Sequence, residues 1–145
     1  MGGGRTSFEY GRLGGTSDFR VLVADDDAAS RRLLEAVFGS CGCVVTLALD
    51  GGEAAELALG RDFDLVCLDR HMPFLTGEEV ADRLHALGDG ARPYLAACTS
   101  DGDEPADGFD AVLIKPIRLQ SVIDTIAGAL QFRRAARGGA KLIAA

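Results

Sequence analysis

The chain has 145 residues, 48% of them hydrophobic and 26% charged, which suits one domain around one core. Its net charge is −7, and between Arg20 and Gln131 nine basic residues face twenty acidic ones, a body of −11 that Arg133, Arg134, Arg137 and Lys141 offset only in part. So acidic a body repels a phosphate backbone, which argues against nucleic-acid binding. No run of 18 apolar residues is present to span a membrane. The first twenty residues hold six glycines and no apolar stretch of a secretory leader, so the expected location is the cytoplasm.

Residues 1–18 read as a flexible Gly-rich arm, 19–132 as one folded domain, and 133–145 as a basic tail. Met1-Gly2 with Thr6 fits an N-myristoylation spacing, although a chance match in a Gly-rich leader is the better reading. Within the domain, Arg20–Ala24 is an apolar run ending in three aspartates and predicts a buried strand. A helix is expected over Ala28–Phe38, with Leu33, Leu34, Val37 and Phe38 in helical register and Asp27 as N-cap. Val44–Ala48 reads as the second strand and Glu53–Leu59 as a short helix after the Asp50-Gly51-Gly52 turn. Asp64–Leu68 is the third strand, again running into an aspartate. Thr76–Leu87 is the third helix, with Val80, Leu84 and Leu87 on one face. Pro93–Cys98 and Ala111–Ile114 read as the fourth and fifth strands. Leu119–Phe132 reads as the last helix, with Val122, Ile123, Ile126 and Leu130 in register. Alternating strands and helices, with strands apolar on both faces, predict a doubly wound α/β fold: a parallel sheet covered on both sides.

In such a sheet the functional crevice lies beyond the carboxyl ends of the strands. Strand one ends at Asp25-Asp26, strand three at Asp69, strand four at Thr99-Ser100 and strand five at Lys115-Pro116. Taken singly, an Asp pair is often a solvated turn and a Thr-Ser often satisfies backbone groups. Their joint placement at the ends of four strands brings three carboxylates, a hydroxyl and an ammonium toward one crevice. Clustered carboxylates repel one another unless a cation joins them, and oxygen-only ligands with room for water suit Mg²⁺. A carboxylate so balanced can act as a nucleophile toward phosphorus. Of the four cysteines, Cys67 and Cys98 fall in strands and read as small core hydrophobes. The Cys41-Gly42-Cys43 spacing matches neither a zinc nor a redox motif.

The blocks Val21–Asp27, Asp64–Gly77 with its Asp69-x-x-Met72-Pro73-x-x-x-Gly77 core, Ala96–Ser100 and Gly108–Pro116 resemble the response-regulator receiver family of two-component signalling. The resemblance covers about residues 19–132. It implies a flavodoxin-like five-stranded sheet of order 2-1-3-4-5, with Asp69 as phosphoacceptor. It implies Mg²⁺ bound by Asp26, Asp69 and the backbone carbonyl of His71, with Asp25 acting mostly through water. Thr99, with Ser100 beside it, would contact the phosphoryl group. Lys115 would pair with the acceptor and then with a phosphoryl oxygen, and the bond before Pro116 would be cis. His71 could gate water at the phosphate or be an exposed imidazole without a role. His85 reads as a surface residue, and neither histidine reads as a phosphodonor.

Two departures stand out. Residues 99–110 hold two glycines, a proline and five acids and do not make an amphipathic helix, so the helix between strands four and five is expected to be absent or reduced to one turn. Val112 stands where the family usually carries Phe or Tyr. Both bear on the output surface rather than on the chemistry. The leading function is a receiver domain, not itself an enzyme, taking a phosphoryl group from a histidine kinase or histidine phosphotransfer protein; its oligomeric state stays open. Two alternatives differ in class. A Mg²⁺-dependent aspartyl phosphohydrolase would want a general acid two residues after Asp69 and a cap domain, which His71 and 145 residues fit poorly. A non-phosphorylated pseudo-receiver would have lost one of Asp26, Asp69 or Lys115, and all are present.

Overall fold

The computed structural model describes the backbone of residues 18–144 and the side chains as far as Ala136. Five strands, β1 (Arg20–Ala24), β2 (Val44–Ala48), β3 (Leu65–Asp69), β4 (Tyr94–Thr99) and β5 (Ala111–Ile114), form one sheet of order β2-β1-β3-β4-β5. Every neighbouring pair is parallel, with Ala24 beside Leu68, Asp69 beside Cys98 and Thr99 beside Ile114. Among the described residues four helices accompany the sheet: α1 (Ala28–Ser40), α2 (Gly51–Gly60), α3 (Gly77–His85) and α4 (Leu119–Ala144).

The helices start where side chains can satisfy their free amides. Asp27 accepts from the Ser30 amide at 2.9 Å, and Asp50 accepts from the Glu53 amide at 2.8 Å. At α3, Thr76 and Glu79 form a reciprocal capping box, at 3.2 and 3.0 Å. Successive strand residues face opposite sides, so each face builds its own core. Val21, Val23, Cys67 and Leu113 pack with Leu34 and Phe38 of α1 and with Val122, Ile126 and Leu130 of α4. Leu22, Val66, Leu68 and Leu95 pack with Ala54, Ala55 and Ala58 of α2 and with Val80, Ala81 and Leu84 of α3. All four cysteines are free and buried.

Between β4 and β5 the chain crosses without a helix, as the composition of that segment predicts. Its far end is pinned instead by Asp110. That carboxylate takes two bonds from Arg92, at 2.8 and 3.1 Å, and one from the Leu95 amide at 2.8 Å. Phe109 packs against the α2/α3 core, and His85 Nε2 lies 2.7 Å from the Gly108 carbonyl. The outward face of β5 stays exposed, with Val112 and Ile114 40% and 50% accessible.

The last helix runs well beyond Phe132. No proline interrupts it, and Arg133 bonds Asp64 Oδ1 at 2.6 Å, so the first basic residue of the tail is held against the body. The backbone therefore shows no break at the boundary read from the sequence. The arm and its myristoylation spacing lie outside the described residues, apart from Asp18. Among the described residues no helix is long and apolar enough to cross a membrane.

Candidate functional site

Parallel pairing of β1 with β3 puts the acids at their carboxyl ends side by side. Asp25, Asp26 and Asp69 each offer a carboxylate oxygen, all within 4.8 Å of one another. Asp25 is fully buried. Its Oδ1 accepts from the Asp27 amide at 2.9 Å, its carbonyl accepts from Arg31 Nη1 at 2.8 Å, and its Oδ2 lies 3.0 Å from Lys115 Nζ. Asp26 is exposed, and Asp69 lies between these extremes. The Asp69 Oδ1 accepts from the His71 amide at 3.3 Å, while Oδ2 sits 3.7 Å from Lys115 Nζ. Lys115 thus makes ion pairs with both Asp25 and Asp69 and lies nearer to Asp25. β5 ends beyond Thr99, and the Lys115 amide bonds the Thr99 carbonyl at 2.8 Å. The Lys115-Pro116 peptide is cis.

The electrostatics follow from this crowding. Burial, then the Asp25 charge, raises the Asp69 pKa above its ordinary value, against the opposing pull of Lys115. Burial disfavours the Lys115 cation, but its hydrogen bond to Asp25 and the charges of Asp25 and Asp69 outweigh that and hold its pKa up. Two of the three carboxylates thus lack a full counter-charge. An all-oxygen set of this kind fits a hard divalent cation, and the exposure of Asp26 leaves water access to it.

Thr99 is buried, its Oγ1 accepting from the Asp101 amide at 3.1 Å and donating to the Asp101 carbonyl at 3.4 Å. Ser100 is exposed. The His71 side chain is 77% exposed, with Nε2 3.6 Å from Glu104 Oε2. Arg70 is what the sequence reading missed. It follows Asp69 directly, yet its side chain is 6% exposed and grips Glu78 and Glu104. Glu104 lies 34 residues away in the irregular β4–β5 segment, and no local pattern links the two.

Residues 21–127 match the pattern of the family described as the response regulator receiver domain. The response regulator MprA of Mycobacterium sp. strain KMS is 36% identical over 108 residues, which is 72% of this chain and 47% of that protein. The transcriptional regulatory protein PrrA of Mycobacterium leprae is 32% identical over 125 residues, 83% of this chain and 54% of that protein. The chain thus spans about half the length of the curated relatives it matches. Among solved structures, the signal receiver domain of an HD-domain protein from Pseudomonas fluorescens Pf-5 superposes with TM-score 0.74 at 22% identity. That match covers 85% of this chain and 94% of the other. The receiver domain of sensor histidine kinase PA1611 from Pseudomonas aeruginosa PAO1, which has magnesium coordinated in its active-site cleft, gives TM-score 0.72 at 22% identity, covering 79% and 98%. At these identities the structural likeness is one of fold.

Proposed function

The chain belongs to the response regulator receiver domain family, and on that premise we propose that it accepts a phosphoryl group on Asp69 in the presence of Mg²⁺. The donor would be a phosphohistidine of a histidine kinase or histidine phosphotransfer protein, in the cytoplasm, with no nucleic acid bound by the acidic body. Residues 19–132 would form the receiver domain, with the arm before it and the basic tail carried on the end of α4. The observation that supports this best is the convergence of Asp25, Asp26 and Asp69 within 4.8 Å, with the Lys115 ammonium 3.0 and 3.7 Å from two of them.

Asp26, Asp69 and the backbone carbonyl of His71 would hold the cation, with Asp25 acting through water. Bound there, Mg²⁺ supplies positive charge against the oxygens of the transferring phosphoryl group. The protein's own groups divide the rest. An Asp69 carboxylate oxygen forms the new O–P bond as the donor N–P bond breaks, and the electron pair leaves with the imidazole. Lys115, kept charged and in place by Asp25, turns its ammonium to a phosphoryl oxygen. Thr99 has a single hydroxyl proton, now directed at Asp101, and would donate it to another phosphoryl oxygen. The exposed outer face of β5 leaves the region where a crossover helix would sit altered, so phosphorylation would be retained while output follows a different surface.

The test is incubation with a small phosphodonor and Mg²⁺, read by intact mass. One added phosphoryl group, absent in Asp69→Asn and in EDTA, supports the proposal. No addition to the wild type would favour a pseudo-receiver, and continuous turnover of an external phosphoester would favour a hydrolase.

A further inference from the structure

The guanidinium of Arg70 lies between two carboxylates from different parts of the chain. Its Nη2 is 3.2 Å from Glu78 Oε2, in the first turn of α3. Its Nη1 is 3.2 Å from Glu104 Oε1, in the segment that joins β4 to β5 without a helix. The same nitrogen reaches the Glu104 carbonyl at 3.5 Å, and the guanidinium carbon sits 5.9 Å from the centre of the Phe109 ring. Glu104 Oε1 is itself buried and has no hydrogen bond of good geometry, so the adjacent arginine charge is what offsets it. The other oxygen, Oε2, faces His71 Nε2 at 3.6 Å. Glu104 therefore touches the side chains of both residues that follow Asp69.

The backbone of those two residues borders the site. The Arg70 carbonyl accepts from the Gly77 amide at 3.1 Å, and the His71 amide donates to Asp69 Oδ1 at 3.3 Å. A buried cation whose partners come from both α3 and the β4–β5 segment fixes the peptide between them. A helix crossing from β4 to β5 could brace this loop; an irregular, acidic segment needs a specific tie.

We propose that Arg70 and Glu104 are positioning residues of the Asp69 site. Their ion pair holds the Arg70-His71 backbone in the orientation that lets the acceptor loop bind Mg²⁺. This rests on the metal site of the proposed function and adds to it two residues that touch no phosphoryl group.

Charge and positioning predict opposite results for one substitution. Removing the Arg70 cation beside an acidic cluster would, by Coulomb attraction alone, tighten Mg²⁺ binding. If Arg70 positions the loop, Arg70→Gln weakens Mg²⁺ binding by about tenfold, the scale found when a residue orienting a metal ligand is lost. The experiment is a Mg²⁺ titration of the full chain followed by backbone amide NMR shifts, with the His71 amide as reporter. Glu104→Gln is expected to weaken binding similarly, and Arg70→Lys, which keeps the charge, to recover part of the loss. A folded Arg70→Gln protein that binds Mg²⁺ as tightly as wild type, or more tightly, overturns the inference and leaves the proposed function standing. Should Arg70→Gln fail to fold, wild-type affinity in both Arg70→Lys and Glu104→Gln overturns it equally. A wild-type protein whose amides do not respond to Mg²⁺ overturns the proposed function, and this inference with it.

Discussion

Asp69→Asn should make the metal-free protein more stable, because the half-buried Asp69 carboxylate is an anion crowded by other carboxylates. Oxygens of Asp69 and buried Asp25 lie within 4.8 Å of each other, and at an effective dielectric near 20 two like charges at that limit repel by about 3 kcal/mol, which sets the scale. Asp26 adds less because it is exposed and water screens it. The Lys115 attraction at 3.7 Å is of similar size and opposes that repulsion. Burial of Asp69 tips the balance against the charged form, as its raised pKa records. The expected gain is about 1–2 kcal/mol, measured by urea unfolding in EDTA at low ionic strength and pH 7. The sign with pH follows from linkage. Folded Asp69 holds its proton above its usual 3.8, so wild-type stability falls as pH rises through that window. The advantage of the asparagine should therefore vanish below pH 3.8 and grow as pH rises through the raised pKa of folded Asp69. Added Mg²⁺ should reverse the order, stabilising wild type and leaving Asp69→Asn unmoved. An Asp69→Asn protein less stable than wild type in EDTA would refute this electrostatic reasoning.

Lys115→Met removes the cation facing a fully buried Asp25 and should cost about 3 kcal/mol in urea unfolding; a loss below about 1 kcal/mol would mean Asp25 is neutral or otherwise compensated. Gly77→Ala would place a Cβ 2.6 Å from the Asp69 carbonyl and 3.0 Å from Arg70 Cα, backbone atoms that cannot swing aside. It should cost about 2 kcal/mol and weaken Mg²⁺ binding, checked by unfolding and by metal titration. Burial, reinforced by Cys41, pushes the Cys43 thiol up to about 12. Alkylation of native protein at pH 8 should therefore be slow and keep accelerating with pH, while denatured protein should label at all four cysteines, read by mass.

Much of the fold is legible because its signals are local. Apolar runs ending in aspartate mark β1 and β3, and Asp27 caps α1 as its position implies. The missing crossover helix could be read from Gly102, Pro105, Gly108 and the acids among them, residues that lower helix propensity wherever they fall. The convergence of the strand-end acids follows once the strand order is known. What stayed hidden depends on three-dimensional placement. The Lys115 contact with Asp25, at 3.0 Å beside 3.7 Å to Asp69, depends on where the end of β5 lies against β1, which no spacing encodes. The Arg70–Glu104 pair joins a strand end to an irregular segment, where neither period nor motif marks a partner. The last helix runs on beyond Phe132 although the segment that follows holds Gly138 and Gly139, residues that lower helix propensity.

Asp69 is the residue expected to carry the phosphoryl group. After reaction with a small phosphodonor and Mg²⁺, borohydride reduction of the acyl phosphate followed by peptide mass mapping would locate the modified side chain. The account predicts conversion of Asp69 alone, dependent on Mg²⁺. Conversion of Asp25 or Asp26 instead, with Asp69 untouched, would contradict it.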